Sequence, residues 1–144
     1  MILQDKSAIK GCIRYVVYRK GVPIETVEDH NLVVNGGRTR LAQLISGAET
    51  RYVTKIGFGE GQDNPALTDN TLTNMQTIDI TSSAIDGQSV TFNWYLDADH
   101  CNGMNIREFG LLTSDNILVT HQQRGRVLGK ADDITIEGQY ILSF

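Results

Sequence analysis

Alternation of apolar and polar side chains is the feature that most constrains the fold of this chain. It is clearest in residues 90–96, whose apolar positions are Val90, Phe92, Trp94 and Leu96. Successive side chains of a β-strand point to opposite faces, so a period of two predicts a strand with one buried face. Residues 105–112 have the same period but carry Arg107 and Glu108 among apolar neighbours.

Other β-prone runs, separated by short turn signals, extend along the chain. Residues 9–19 and 22–34 are rich in Val, Ile, Tyr and Thr and are split by Arg19-Lys20-Gly21, which predicts a hairpin. Further strands are predicted at residues 52–58, 75–81, 90–96, 105–112, 116–123 and 134–144, with turns at Asp86-Gly87 and Ser114-Asp115 and a looser connection at residues 125–133. About eight strands at this spacing predict a mainly β fold, either an antiparallel β-sandwich or an open barrel.

One short helix is expected after the first hairpin. Leu41, Leu44 and Ile45 recur at spacings of three and four across residues 38–46, and Gly47 follows as a helix stop. The 144 residues match a single β-rich domain, 1–144, with no linker-like composition inside it.

Composition and charge argue against several classes of protein. The net charge of −4 and the scattered basic residues do not suit a general nucleic-acid binder. No apolar run approaches the ~20 residues of a membrane span, and residues 1–6 lack the basic-then-apolar pattern of a secretory signal. Cys12 and Cys101 lie far apart, which favours two thiols in a reducing compartment over a disulfide. We therefore expect the chain to be made and kept soluble in a cytoplasm, unless another machine exports it.

Two segments imitate ligand-binding loops. Gly57-Phe58-Gly59-Glu60-Gly61 follows a predicted strand, but it lacks a Gly-Lys-Ser or Gly-Lys-Thr sequence and a helix behind it, so its glycines predict close backbone packing rather than phosphate binding. Residues 97–108 place Asp97, Asp99 and Glu108 as in a calcium loop, but Asn102 stands where that loop needs glycine.

Metal and nucleophile chemistry have no supporting pattern in the sequence. His30, His121 and the adjacent pair His100-Cys101 lack the spacing of a zinc site, and no serine lies in a Gly-x-Ser-x-Gly turn. We predict no cofactor, no metal and no catalytic residue.

Arg107 and Glu108 form a structural charged pair in this interpretation. A carboxylate forced toward a buried face must be paired, so we expect Glu108 to accept hydrogen bonds from backbone amides or from an arginine such as Arg38 or Arg40. The alternative is a hydrolase that uses Glu108 with Asp97 or Asp99.

The order of motifs resembles small bacteriophage and prophage tail proteins of the baseplate or tail-fibre kind. The motifs are residues 31–38 opening the helix, Ile56-Gly57-Phe58-Gly59, a polar loop with Pro65 ending near Thr71-Leu72, the alternating strand 90–96, and residues 106–112. The resemblance implies a non-enzymatic virion component that acts through protein–protein contacts with other tail proteins. It also implies a homo-oligomer, trimer or hexamer, located in the phage tail particle.

The long polar loop is the predicted contact with a neighbouring protein. Its residues are Phe58, Gly59, Glu60, Gly61, Asp63, Asn64 and Pro65. Long loops inside compact domains are often functional.

A carbohydrate-binding β-sandwich module is the other class that the sequence leaves open. Trp94 and Tyr95 are the candidate stacking platform for a sugar ring. Because they are adjacent in a strand, at most one of them can line a site and the other belongs to the core.

Overall fold

A computed structural model describes residues 9–144, which form one antiparallel sheet and one helix. The strands are β1 (Lys10–Arg19), β2 (Val22–Val33), β3 (Val53–Gly59), β4 (Gln76–Asp79), β5 (Ser82–Asp86), β6 (Ser89–Leu96), β7 (Asn105–Thr113), β8 (Thr120–Gly129) and β9 (Ile134–Ser143), and helix α1 is Asn35–Ser46. The predicted mainly β fold with one short helix is confirmed. Residues 1–6, in which no secretory signal is expected, lie outside the described part.

The nine strands curl into a half-barrel in the order β4-β3-β7-β8-β2-β1-β9-β6-β5. β4 and β5 stand at opposite ends of this order although they are consecutive in the chain. The bend between them makes one backbone hydrogen bond to β3 and one to β6. Ile80 N–H donates to Thr54 O at 2.9 Å, and Thr81 N–H donates to Asn93 O at 2.8 Å. Of the two architectures predicted, the open barrel therefore matches the structure.

The first hairpin lies where its sequence predicts it. β1 and β2 are joined by Lys20 and Gly21, both with positive φ, at 50° and 78°. Two consecutive residues with positive φ match the type I′ turn, whose twist suits the right-handed twist of paired strands.

The core lies on the concave face of the curled sheet. Four rings pack together with centroid distances from 5.0 to 6.4 Å: Tyr15, Phe58, Trp94 and Phe109. Gly138 of β9 leaves room for the Trp94 indole, because a Cβ at this position would overlap the ring.

Helix α1 begins three residues earlier than the predicted residue 38. Gly37 of the helix packs against the backbone of Val119, the residue before β8, where an added Cβ would stand 2.6 Å from Val119 O. The helix ends as predicted at Gly47, whose φ of 77° gives the left-handed C-cap that glycine adopts without strain.

Two predicted elements differ in the structure. Residues 125–133 were expected to form a loose connection, but β8 continues to Gly129 and pairs with the start of β7. The predicted strand 75–81 is interrupted at the bend between β4 and β5. In both cases pairing with a distant strand, rather than local sequence, sets the boundary. No helix among residues 9–144 is long and apolar enough to cross a membrane.

Candidate functional site

Glu108 is buried in β7, with 2 % of its surface exposed. It follows an irregularity in the pairing of β7 with β8, between Ile106 and Glu108. Arg107 does not pair with it; the Arg107 guanidinium lies 3.5 Å from the backbone oxygen of Glu60. The two neighbouring charges therefore have separate partners.

Three donors hold the Glu108 carboxylate. The backbone N–H groups of Gly61 and Thr73 donate to Oε2 at 2.7 and 2.9 Å, and His121 Nε2 lies 2.7 Å from Oε1. Of the two alternatives expected, backbone amides or an arginine, the amides are present, and the third donor is a histidine. Burial disfavours the ionised form of Glu108, but these hydrogen bonds hold its pKa below the usual value.

His121 lies between two carboxylates. Its Nδ1 atom is 2.7 Å from Asp69 Oδ2, while Nε2 faces Glu108. Burial favours the neutral imidazole, yet the two carboxylates raise the pKa of His121 above its ordinary value. Asp69 also accepts a hydrogen bond from the backbone N–H of Ala66 at 2.7 Å, which lowers its pKa. A protonated His121, donating from both nitrogens, satisfies this arrangement.

The trio of buried Glu108, buried His121 and half-buried Asp69 fixes the irregular segment 60–75 to the sheet. Leu72 of this segment packs with Val34, Leu112 and Leu118 in a second hydrophobic cluster. An added Cβ at Gly61 would stand 2.6 Å from Glu108 Oε2, so glycine allows the close approach of backbone and carboxylate. The glycines serve close packing, and the carboxylate acts as a structural clamp.

The predicted contact loop is mostly anchored rather than free. Phe58 lies in the core and Gly59 is buried, so neither offers accessible surface for the contact that the sequence predicts. Phe58 occupies a buried position of β3, so its side chain points to the concave face, where the core lies. Glu60 accepts hydrogen bonds from Asn105 N–H at 2.8 Å and Asn74 Nδ2 at 3.0 Å. Asp63 and Asn64 remain exposed beside half-buried Pro65.

The segment that imitates a calcium loop forms a polar turn. Asp97 Oδ1 lies 2.6 Å from His100 Nδ1 and accepts the backbone N–H of Asp99 at 2.9 Å. Cys101 next to it is buried, and both it and Cys12 are free thiols. Among residues 9–144 no group of three His, Cys, Asp or Glu side chains is placed to hold a metal ion.

Arg40 has a partner that the sequence did not indicate. Its guanidinium makes two bonds to the Asp115 carboxylate, at 2.7 and 2.8 Å, and a third to the backbone oxygen of Arg51 at 3.0 Å. These contacts hold the pKa of Asp115 well below its usual range, chiefly through the Arg40 hydrogen bonds. The ion pair ties the helix to the turn after β7.

The pairing between β2 and β8 is nearly absent. In the described chain their ladder consists of two residue pairs, Leu32 with His121 and Val33 with Thr120. Residues 22–31 of β2 pair with β1 on one side only. We call the other side of residues 22–31 the open edge.

Side chains bridge the gap beside the open edge. Arg124 of β8 makes two bonds to Glu25, at 2.6 and 2.7 Å, and a third to the Tyr15 hydroxyl at 2.7 Å. Gln122 Nε2 donates to Asp29 Oδ2 at 3.0 Å. Arg124 Nε and Gln122 Oε1 are buried without a partner in the described residues. The gap beside the open edge therefore keeps one unused hydrogen-bond donor and one unused acceptor.

Large apolar side chains are exposed near the open edge. Val22 and Ile24 of β2 are 61 % and 49 % exposed, and Val127 of β8 is 50 % exposed. An edge with unpaired backbone groups and exposed apolar side chains favours the addition of another strand.

Comparisons with models of protein families, with curated proteins and with solved structures found no significant match.

Proposed function

We propose that this protein is a non-enzymatic structural component of a phage or prophage tail, associated with the baseplate or a tail fibre. It acts through protein–protein contacts in a symmetric assembly. In this proposal the neighbour supplies an extended segment that pairs with the open edge of β2.

The open edge is the observation that supports this proposal. An added strand gains affinity from main-chain hydrogen bonds and specificity from side chains beside it. Val22 and Ile24 offer apolar contact area, and Glu25 and Asp29 already have partners on β8. The addition therefore needs no new partner for those two carboxylates.

The alternative of a hydrolase has no comparable support. Both oxygens of Glu108 are occupied by hydrogen bonds within the protein. A general acid or base must reach the substrate proton, within hydrogen-bond distance or through one water. The occupied carboxylate has a structural explanation that needs no substrate.

Particle composition tests the role in a tail. Prophage particles would be induced from the source bacterium, purified by density and examined by peptide mass spectrometry. We expect this chain at a fixed ratio to the tail proteins. Its absence from well-formed particles would contradict the proposal. Light scattering of the purified protein would check for the proposed trimer or hexamer.

A pair of matched variants tests the open edge. Ile24→Lys adds a charge to the edge, which discourages strand pairing. Ile45→Lys is the control, because Ile45 is 87 % exposed on the helix, away from β2. We expect both variants to fold, with only Ile24→Lys lost from particles. Equal incorporation of both would refute the role of the open edge.

A further inference from the structure

A cleft of about 810 Å³, lined by both apolar and polar groups, crosses the convex face of the sheet, opposite the core. It lies across β2, β1, β9 and β6, and three inter-strand spacings give it a length of about 14 Å. Cavities that hold small ligands commonly measure about 300–1,000 Å³. The cleft is separate from the clamp at Glu108, and at Thr26, Val27 and Glu28 it reaches the strand that carries the open edge.

The register of four strands places its lining residues in two rows. The first row runs from Glu28 through Arg14 and Gln139 to Asn93. The second row runs from Thr26 through Val16 and Glu137 to Tyr95. Each row combines one residue from each strand, so the cleft depends on the assembled sheet.

Two tyrosines provide aromatic surface in the cleft. Tyr95 is 48 % exposed, and Tyr18 is half-buried. Trp94 points the opposite way and is 1 % exposed, as expected for neighbours in a strand. Of the stacking platform expected from the sequence, Tyr95 alone faces the cleft, and Tyr18 is an aromatic residue that the sequence did not single out.

Polar side chains of the cleft offer both donors and acceptors. Gln139 Nε2 donates to Asn93 Oδ1 at 2.9 Å, and Asn93 Nδ2 donates to Ser82 Oγ at 3.1 Å. Gln139 Oε1 and the second N–H of the Asn93 amide group are left for other partners. Arg14 lies 3.5 Å from Glu28, so their charges offset each other. Glu137 is exposed and adds a single negative charge.

We propose that this cleft binds a neutral saccharide. A sugar ring presents one apolar face, suited to the Tyr95 ring, and hydroxyl groups that both donate and accept hydrogen bonds. Gln139, Asn93 and Glu137 supply the complementary groups. The charge pattern disfavours phosphate and other anions, because the only arginine of the cleft is already paired and Glu137 repels them.

The test is titration of the purified full chain with a panel of neutral di- to tetrasaccharides of glucose, mannose, galactose and N-acetylglucosamine. Amide chemical shifts would be followed by NMR. We expect at least one oligosaccharide to bind with a Kd of about 1 mM or tighter. The shifts should be confined to residues 14–18, 26–28, 93–95 and 137–139.

Two variants connect binding to the cleft. Tyr95→Ala should weaken binding about tenfold, since an aromatic contact contributes on the order of 1 kcal/mol beyond its buried area. Tyr52→Ala, an exposed tyrosine outside the cleft, is the control and should leave the Kd unchanged. Melting curves would verify that both variants are folded.

Three results would overturn the proposal. The first is no binding by any sugar of the panel at about 10 mM. The second is equal binding by the wild type and Tyr95→Ala. The third is preferential binding of a simple aliphatic amine, which would mean that Glu137 selects cations.

Discussion

Replacing Glu108 by alanine removes the acceptor of three buried hydrogen bonds. The N–H groups of Gly61 and Thr73 and the Nε2 atom of His121 would all lose their partner. A buried group left unsatisfied costs about 1–3 kcal/mol, and breaking a buried ion pair costs about 3–5 kcal/mol. The costs overlap because they concern the same atoms. We expect Glu108→Ala to lower the free energy of unfolding by about 3–5 kcal/mol.

Glu108→Gln removes the negative charge but keeps the size and shape of the side chain. Its single carboxamide oxygen can still accept from both backbone amides, while its NH₂ group faces His121. This requires a neutral imidazole protonated at Nδ1, toward Asp69. Hydrogen bonds to charged groups exceed neutral ones by about 1–2 kcal/mol, so we expect a loss of that size.

Urea unfolding near pH 6 gives the free energies, and amide hydrogen exchange gives the location of the effect. In Glu108→Ala the amides of Gly61 and Thr73 should exchange faster than those of β1, because segment 60–75 can lift from the sheet. Asp63→Ala is the control in the same segment, since Asp63 is exposed and should change stability by less than about 0.5 kcal/mol. A loss below about 1 kcal/mol with unchanged exchange would refute the clamp.

Three further predictions concern pH, packing and thiol reactivity. Because the pKa of His121 is raised in the folded protein, the protonated imidazole stabilises the fold fully below pH 6.5 and progressively less as the pH rises through the native pKa. The carboxylates of Glu108 and Asp69 have lowered pKa values, so their ionised forms stabilise the fold above about pH 4.5. The free energy of unfolding, measured against pH, should therefore be highest between these two pH values. His121→Gln should remove the decline in that free energy toward alkaline pH. Gly138→Ala, whose Cβ overlaps the tryptophan, should cost about 1–3 kcal/mol in urea unfolding, while Gly129→Ala, with open space around it, should cost less. A thiol reagent should label half-buried Cys12 before Cys101, and equal rates would contradict the burial of Cys101.

Strands with one buried face were predictable because their pattern is local. Apolar residues recur at every second position of β6, at Phe92, Trp94 and Leu96, and these are the buried positions of the strand. The first hairpin was predictable for a similar reason, since Lys20-Gly21 suits the turn that its strands need.

Boundaries set by distant pairing were not predictable. Residues 125–129 contain two glycines and read as a connection, yet pairing of Leu128 with Ile106 extends β8 through them. The bend at Ile80–Thr81 has no turn signal in the sequence, because it depends on β3 and β6 standing on either side of it.

The clamp was predictable only in part. A carboxylate between apolar residues of a strand requires hydrogen bonds, and the backbone amides expected for Glu108 are present. The histidine was hidden because His121 and Asp69 are remote in the sequence and become neighbours only when segment 60–75 crosses the sheet. No spacing rule relates residues that meet in this way.

Two of the buried charges in this fold, Glu108 and Arg124, lie at interruptions of the backbone ladder. Glu108 follows the irregularity between β7 and β8, and Arg124 with Glu25 bridges the gap where β2 and β8 have separated. Charged side chains reach farther than a ladder hydrogen bond, so they can connect strands whose backbones no longer touch. At β7 an irregular segment of the same chain covers the interruption. Along the open edge, the side of residues 22–31 that faces away from β1, no segment among residues 9–144 pairs with the backbone of β2, which is why we propose strand addition by a neighbour there.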